Sequence, residues 1–435
     1  QVPKVLASYF RAFAGFIARE QWVAKVGSPD GTSDPEGFAG LWRASLPDKL
    51  DSFSILYYLE LDAHASDWLR FHLTLKRSNL LAQNGANFRE GDIGIIYPVE
   101  REGETKPLAH PILRCRIVSI TDEAVHISLR NKQLDAAYFH QYQYWCIEHD
   151  FIEAGFTALY RSLFNFLLCE DGARINRMLG MAAPRELPPA QAPSLPAYQE
   201  LLPEQRDLLQ QALRAQDYFL LQGPPGTGKT AVMLRRLVET LYHQTNETLA
   251  VLAFTNRAVD EIAQHLQHAG LPFLRIGHRE TGQPTLAALL KERPLEEGYQ
   301  ALQETRIVLS TVSSFLSHSR KLTFLHFDTA IIDEASQLLE PHLAGALLDV
   351  GRFLLIGDEQ QLPSVVTQNP RQGFTEDERL HEIGIRDLRV SLFERLLRRC
   401  QAQGWHHAYG MLQRQGRMHV EVARWANDRF YDGRL

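Results

Sequence analysis

Residues 218–230 have the sequence YFLLQGPPGTGKT, an apolar run followed by a glycine-rich loop that ends in Lys229 and Thr230. The loop fits the pattern G-x-x-x-x-G-K-[ST] and lies between a predicted strand and a predicted helix, as this motif requires. Glycines let backbone N–H groups turn toward a phosphate, and the start of the helix adds partial positive charge. The stretch predicts a nucleoside triphosphate site in which Lys229 reaches the β- and γ-phosphates and Thr230 ligates Mg²⁺. The other loop residues expected around the nucleotide are Gly223, Pro224, Pro225, Gly226, Thr227 and Gly228.

A second apolar run supplies the carboxylates that a phosphoryl-transfer site needs. Residues 328–332 predict a buried strand that delivers Asp333 and Glu334 at its carboxyl end. Ligands of open parallel sheets bind at that edge. We expect Asp333 to hold Mg²⁺ through water and Glu334 to polarise the attacking water.

Strands and helices alternate around these two motifs. Near-continuous apolar runs at 248–254, 307–311 and 352–358 are separated by helical patterns such as RAVDEIAQHLQ. Apolar strands that alternate with helices indicate a parallel sheet with helices on both faces. The predicted fold class of this part of the chain is therefore α/β.

The first 200 residues have a different pattern. Short β-rich runs between about 68 and 147 predict a small β-barrel. Apolar residues at helical spacing near the start of the chain and over 151–180 predict helices, and a loop is expected at 27–37. Five prolines between 184 and 196 indicate a linker.

Composition excludes several classes of protein. Hydrophobic residues make up 45% and charged residues 23%, which is ordinary globular usage. The net charge of −6 argues against binding through overall positive charge, so any contact with a phosphate backbone must be local. No apolar window approaches 18 residues and no signal-peptide pattern opens the chain, so we expect a soluble cytoplasmic or nuclear/nucleoid protein without a membrane partner. The four cysteines form no CxxC, which gives no support for a disulfide framework or a cysteine-rich metal site.

Asp333-Glu334-Ala335-Ser336-Gln337, taken with GPPGTGKT, resembles motifs II and I of superfamily 1 helicases. The most similar branch holds the nonsense-mediated-decay helicase and the replication nuclease-helicases. Other segments resemble that family's motifs in the same order: LPEQ at 202–205, FTNRAVD at 254–260, LST at 309–311, GDEQQLP at 357–363, SLFERL at 391–396 and QGRMH at 415–419. The resemblance implies a RecA-like P-loop domain that binds ATP and Mg²⁺ and translocates on single-stranded nucleic acid.

The resemblance also implies roles for individual residues. Gln205 would contact the adenine edge, Gln361 would occupy the γ-phosphate sensor position, and Arg417 would be an arginine finger. Four polar residues at strand ends would hold the phosphates of the single strand: Thr255, Asn256, Ser310 and Thr311. Residues 145–168 are similar to the stalk of the nuclease-helicases, which favours DNA over RNA, and the family implies movement from 5′ to 3′.

On this resemblance the chain divides into five parts: an N-terminal helical segment at 1–67, a β-barrel accessory domain at 68–147, a helical stalk and proline-rich linker at 148–197, a first RecA-like ATPase domain at 198–402, and the start of a second at 403–435. Gln1 in place of methionine indicates a processed or excised piece. The family's motifs V and VI do not follow before Leu435. Because an arginine finger contributes about 10³–10⁵ in rate, we expect this piece alone to hydrolyse ATP weakly.

Two other functions remain open. In one, ATP occupancy switches the affinity of a binding or scaffolding module for nucleic acid without processive unwinding. In the other, the chain is a P-loop ATPase or kinase of another family. The presence together of Lys229, Asp333, Glu334, Gln361 and Arg417 favours a motor, since a scaffold has no physical need for all five.

Overall fold

The computed structural model describes residues 3–26, 40–41, 44–83, 85–130, 136–150, 153–277, 295–318 and 326–435. The loop predicted at 27–37 lies outside the described residues. The chain forms two compact units, of which the larger comprises Gln1–Ile17, Ala154–Val366 and Pro370–Leu435 and the smaller comprises Ala18–Glu153 and Thr367–Asn369. Within the described residues, no helix combines the length and the apolar character that crossing a membrane demands.

The smaller unit contains a closed antiparallel barrel of six strands in the order β1-β2-β5-β4-β3-β6. Its strands are β1 (Ile55–Asp67), β2 (His72–Lys76), β3 (Ile93–Val99), β4 (Leu113–Ile120), β5 (Ala124–Leu129) and β6 (Tyr144–His149). The sequence predicts the barrel but not its first strand, which begins before residue 68. Leu56 and Leu59 pack inside the barrel while Ile55 and Tyr57 belong to a second buried cluster. Because both faces of β1 are covered at its start, Ile55–Tyr57, that part of the strand lacks the alternation that marks a half-exposed strand.

The larger unit is built on a seven-stranded sheet in the order β13-β7-β12-β11-β8-β10-β9, with every neighbouring pair parallel. The strands are β7 (Tyr218–Gln222), β8 (Leu249–Ala253), β9 (Leu274–Ile276), β10 (Ile307–Thr311), β11 (Phe327–Asp333), β12 (Val350–Gly357) and β13 (Tyr409–Met411). All positions of β7, β8 and β10 are buried, as a sheet covered on both faces requires. The predicted parallel α/β sheet is therefore confirmed.

The described residues also contain fourteen α-helices, α1 to α14. They are α1 (Lys4–Val26), α2 (Leu46–Asp51), α3 (Ala136–His140), α4 (Glu153–Leu168), α5 (Gly172–Met178), α6 (Pro203–Arg214), α7 (Arg235–Gln244), α8 (Asn256–His268), α9 (Leu295–Glu304), α10 (Val312–His318), α11 (Glu340–Ala344), α12 (Glu378–Glu382), α13 (Leu392–Gln403) and α14 (Val420–Phe430). Leu220 of β7 belongs to one buried cluster, together with Phe13 of α1 and Leu163 of α4, whereas Leu221 belongs to another, together with Leu237 of α7. Since neighbouring residues of a strand face opposite sides, the two clusters are the two faces of the sheet. The start of α1 and the predicted stalk helix therefore share a core with the sheet.

The last part of the chain completes this same sheet. Strand β13 pairs with β7 in parallel, and Leu412 lies in the second core cluster. A Cβ atom on Gly410 would lie 2.1 Å from Leu208 Cδ2, so glycine lets β13 pack closely against α6. The residues from 409 to 412, predicted to start a second domain, thus form the edge of the first sheet. Nothing in a three-residue strand identifies the sheet that it joins.

Candidate nucleotide site

The glycine-rich loop, residues 223–230, connects β7 to a helix. Gly226 and Gly228 have φ values of +79° and +81°, a region that L side chains disfavour. The helix begins with a wide turn over Lys229–Leu234, in which the Met233 N–H donates to the Gly228 carbonyl, and continues as α7. Wide turns of this type are frequent at functional sites.

The loop meets the carboxylates that follow β11. Thr230 Oγ1 donates a hydrogen bond to Asp333 Oδ2 at 2.7 Å, and Lys229 Nζ lies 2.8 Å from Glu334 Oε1. Strand β12 lies between β7 and β11, so the two motifs come from strands that are not neighbours. Parallel pairing nevertheless puts their carboxyl ends at one edge of the sheet. The structure thus brings four predicted side chains together.

Asp333 is a buried carboxylate without a full counter-charge. Its side chain is 1% exposed. Burial raises the pKa of Asp333 to about 6; Glu334 also raises it, while the Thr230 hydrogen bond and Lys229 lower it. Glu334 adopts a left-handed backbone, φ +52°, and donates its N–H to Asp333 Oδ1 at 3.0 Å. A non-glycine residue in this region costs energy and is often found at functional sites.

A cavity of about 430 Å³ adjoins these side chains. Its walls are Pro225, Gly226, Gly228, Lys229, Thr230, Ala231, Glu261, Glu334, Gln361, Gly416 and Arg417. The Gly416 N–H donates to the Gly226 carbonyl at 3.0 Å, and a Cβ atom on Gly226 would lie 2.5 Å from Arg417 Cβ. The glycine loop is therefore in direct contact with the segment that carries Arg417.

The residues present fit a triphosphate and Mg²⁺. Lys229 Nζ is buried and pairs with the Glu334 carboxylate at 2.8 Å, and an ammonium group with three donors can in addition bind a phosphate oxygen. The Thr230 hydroxyl and the Asp333 carboxylate are the hard oxygen ligands that Mg²⁺ takes alongside substrate phosphates and water. Within the described ranges, no group of three or more His, Cys, Asp or Glu side chains forms an all-protein metal site.

Several predicted nucleotide-binding residues do not line this cavity. Gly223, Pro224 and Thr227 shape the loop, with Thr227 Oγ1 donating to the Pro224 carbonyl at 2.7 Å. Gln205 is 7% exposed, and its Oε1 accepts from the Leu202 N–H at 3.1 Å. In the described conformation the Gln205 side chain therefore caps the start of α6.

The predicted nucleic-acid residues lie at the ends of β8 and β10, which are parallel neighbours. Thr255 and Asn256 are exposed, and Thr255 Oγ1 accepts from the Ala258 N–H at 3.2 Å, capping α8. Thr311 is 8% exposed. Ser310 is completely buried, and its hydroxyl donates to the Ile276 carbonyl at 3.2 Å. The Ser310 hydroxyl is therefore enclosed within the sheet and already hydrogen-bonded, so we do not propose Ser310 as a nucleic-acid contact.

Sequence reasoning missed Glu261, which lines the cavity from α8. Its side chain is 60% exposed, and its Oε1 lies 4.0 Å from His265 Nε2. A glutamate on an amphipathic helix gives no sign in the sequence that it faces a nucleotide site, because charged residues of such helices ordinarily face solvent.

Residues 205–367 match a protein family described as an AAA domain. The Arabidopsis thaliana DNA replication ATP-dependent helicase/nuclease JHS1 is 33% identical over 237 residues, which cover 53% of this chain and 16% of that protein. The Xenopus laevis DNA replication ATP-dependent helicase/nuclease DNA2 is 31% identical over 238 residues, covering 53% of this chain and 21% of that protein. The DNA polymerase alpha-associated DNA helicase A of Schizosaccharomyces pombe is 27% identical over 286 residues, covering 54% and 40% respectively. The chain spans less than half of the length of each of these relatives.

Proposed function

We propose that this chain couples ATP hydrolysis to movement along single-stranded nucleic acid, because about half of it is homologous to superfamily 1 helicases. The observation that carries the proposal is the meeting of Lys229 and Thr230 with Asp333 and Glu334 at one edge of the sheet. In this proposal the larger unit is a RecA-like motor domain with a helical stalk, and the barrel is an accessory domain.

Four side chains at the cavity and beside it have proposed tasks in hydrolysis, together with Arg417. Lys229 would neutralise charge on the β- and γ-phosphates, and Thr230 and Asp333 would hold Mg²⁺. When bound, Mg²⁺ supplies charge stabilisation to the phosphates. Glu334 polarises the attacking water, and Arg417 stabilises charge that develops on the transferred group.

Thr255, Asn256 and Thr311 are the proposed contacts to the nucleic-acid backbone. Hydroxyls and amides bind phosphate oxygens without relying on net charge, so the overall charge of −6 is compatible with this role. DNA is the favoured substrate, since the relatives are DNA replication helicase/nucleases and a DNA polymerase alpha-associated DNA helicase. The proposed direction of movement is 5′ to 3′, as the resemblance implies.

The test is the rate of ATP hydrolysis, which we expect to be slow for this piece alone, with and without single-stranded DNA or RNA. We expect stimulation by DNA that is lost in Glu334→Gln and retained in Glu376→Gln, a matched change at an exposed glutamate. ATP-dependent DNA binding without turnover would instead favour a binding or scaffolding module. Turnover that ignores nucleic acid would favour a P-loop ATPase of another kind.

A further inference from the structure

The segment after α14 returns to the nucleotide site. Tyr431 is 4% exposed, and its hydroxyl donates a hydrogen bond to Asp358 Oδ2 at 2.7 Å. Asp358 is completely buried in the turn after β12. Its own N–H donates to Ser336 Oγ at 3.2 Å, which ties it to the segment that follows Asp333 and Glu334.

The same carboxylate oxygen holds Gln361. The Gln361 Nε2 group donates to Asp358 Oδ2 at 2.7 Å, and Gln361 lines the nucleotide cavity. Asp358 Oδ2 is the acceptor in this contact, so the end of the amide that faces Asp358 is the NH₂ group. The carbonyl oxygen Oε1 and one N–H of Gln361 are therefore left for the cavity.

Residues 412–431 form a single stretch of chain that is hydrogen-bonded near both of its ends to elements around this cavity. At its start, the Leu412 N–H donates to the Gln222 carbonyl at 2.9 Å and the Gly416 N–H donates to the Gly226 carbonyl at 3.0 Å. At its end, Tyr431 binds Asp358. Arg417 lies between these attachments, so one stretch of chain both carries Arg417 and supports the group that holds Gln361.

We propose that Tyr431 is a positioning residue for Gln361 and acts through Asp358. The proposal rests on the proposed function, because Gln361 has a reacting partner only if the chain hydrolyses ATP. The Tyr431 hydroxyl occupies one side of the Asp358 carboxylate and fixes the direction from which that carboxylate accepts the Gln361 amide. Without the hydroxyl, Asp358 and Gln361 gain rotational freedom, and the Gln361 amide loses its fixed orientation in the cavity at the proposed γ-phosphate sensor position.

The first test is Tyr431→Phe, which removes one oxygen atom and keeps the ring. We expect kcat for DNA-stimulated ATP hydrolysis to fall about 10- to 100-fold while KM for ATP changes little, because orientation of a reacting side chain is lost and phosphate binding is not. Adding Tyr431→Phe to Gln361→Ala should lower kcat no further, since the two residues act in series. The matched control is Tyr218→Phe: Tyr218 is buried in β7, and its hydroxyl lies 3.6 Å from Cys400 Sγ. We expect that control to keep the wild-type kcat.

The second test does not need turnover. In the nucleotide-free full chain, the Gln361 side-chain NH₂ should give slowly exchanging NMR signals, identified by their loss in Gln361→Ala, and Tyr431→Phe should speed their exchange. If Tyr431→Phe unfolds the protein, Asp358→Asn serves instead, since the introduced amide competes as a donor and should disturb the same signals. An unchanged kcat, effects that multiply with Gln361→Ala, or unchanged Gln361 signals would overturn the proposal. A wild-type chain without ATPase activity would instead count against the proposed function, while the NMR comparison would still decide whether Tyr431 holds Gln361.

Discussion

Asp333, at the end of β11, and Glu340, at the start of α11, are both buried carboxylates, and each is 1% exposed. Glu340 accepts two hydrogen bonds from Arg395, at 2.9 and 2.6 Å, and a third from the Tyr9 hydroxyl at 3.0 Å. Asp333 accepts from the Thr230 hydroxyl and from a backbone N–H. One carboxylate therefore has a guanidinium partner, whereas the other has only neutral donors in contact with it.

The difference separates a carboxylate with a structural role from one with a proposed role in metal binding. Burial alone lowers the pKa of Arg395, but the Glu340 carboxylate raises it overall, so the guanidinium keeps its charge and its contact with Glu340 joins α11 to α13. At Asp333, burial raises the pKa to about 6, because its neutral donors do not replace the lost water. The position that is left without a counter-charge is the one where a cation is expected.

The largest effect is expected from breaking the structural pair. Arg395→Met should lower the free energy of unfolding by about 3–5 kcal/mol, because Glu340 would remain buried without its partner. Urea unfolding measures the change. The double variant Arg395→Met/Glu340→Leu should recover only part of the loss, because Arg395 also donates to the carbonyls of Met178, Leu179 and Ile383. A single variant as stable as wild type would contradict the structural role.

Removing the hydroxyl at the functional carboxylate should have a smaller effect. Thr230→Val keeps the shape of the side chain but deletes the donor to Asp333, and we expect a loss of about 1–3 kcal/mol in unfolding free energy. Thr305→Val is the control, since its hydroxyl donates to the neutral Ala301 carbonyl near the end of α9. A larger loss in the control than in Thr230→Val would show that the hydrogen bond to Asp333 contributes no more to stability than an ordinary bond to a carbonyl.

Helix α11, which contains Glu340, also contains His342, a histidine that burial keeps neutral. Burial lowers the pKa of His342 to about 4, against an ordinary value of 6.5, although a hydrogen bond to the Leu339 carbonyl opposes the shift. Between pH 6.5 and 4 the unfolded chain binds a proton that the folded chain does not, so stability falls as the pH falls. The loss is at most about 1.4 kcal/mol per pH unit. Unfolding of His342→Gln should depend less on pH than wild type, whereas His326→Gln, at a side chain that is 78% exposed, should not differ.

The smallest effect on stability is expected at the pair that faces the cavity. Lys229→Met should change the free energy of unfolding by less than about 1 kcal/mol, because Lys229 and Glu334 are partly accessible, at 13% and 23%. ATP affinity should nevertheless fall about 10- to 100-fold through loss of a charge-assisted contact, as titration calorimetry would measure. A large loss of stability with unchanged ATP affinity would instead indicate that the Lys229–Glu334 pair has a structural role and does not bind the nucleotide.

The sequence predicts those parts of the site whose residues are close together along the chain. The stretch 218–230 contains the strand, the loop and the start of the helix, so the positions of Lys229 and Thr230 follow from spacing alone. Asp333 and Glu334 are predictable for the same reason, since an apolar strand ends where they begin. The insertion of β12 between the two motif strands has no local signal, because every strand of a doubly covered sheet is uniformly apolar.

The remaining contacts depend on which residues meet across the fold. Ser310 and Thr311 are adjacent and polar, and only the sheet shows that Ser310 is enclosed. The Tyr431 hydroxyl meets a carboxylate 73 residues away, and no spacing rule connects the two. Tertiary packing decides such contacts, and a single sequence does not encode them in a local pattern.

Strand β13 affects how this protein is made. Synthesis proceeds at about 5–20 residues per second, so on the order of ten to forty seconds separate the emergence of β7 from that of Tyr409–Met411. During that interval one side of β7 has no strand to pair with, and unpaired edges recruit other chains into aggregates. Ribosome-bound intermediates of this sheet are therefore expected to expose one edge of β7 until translation has passed residue 411.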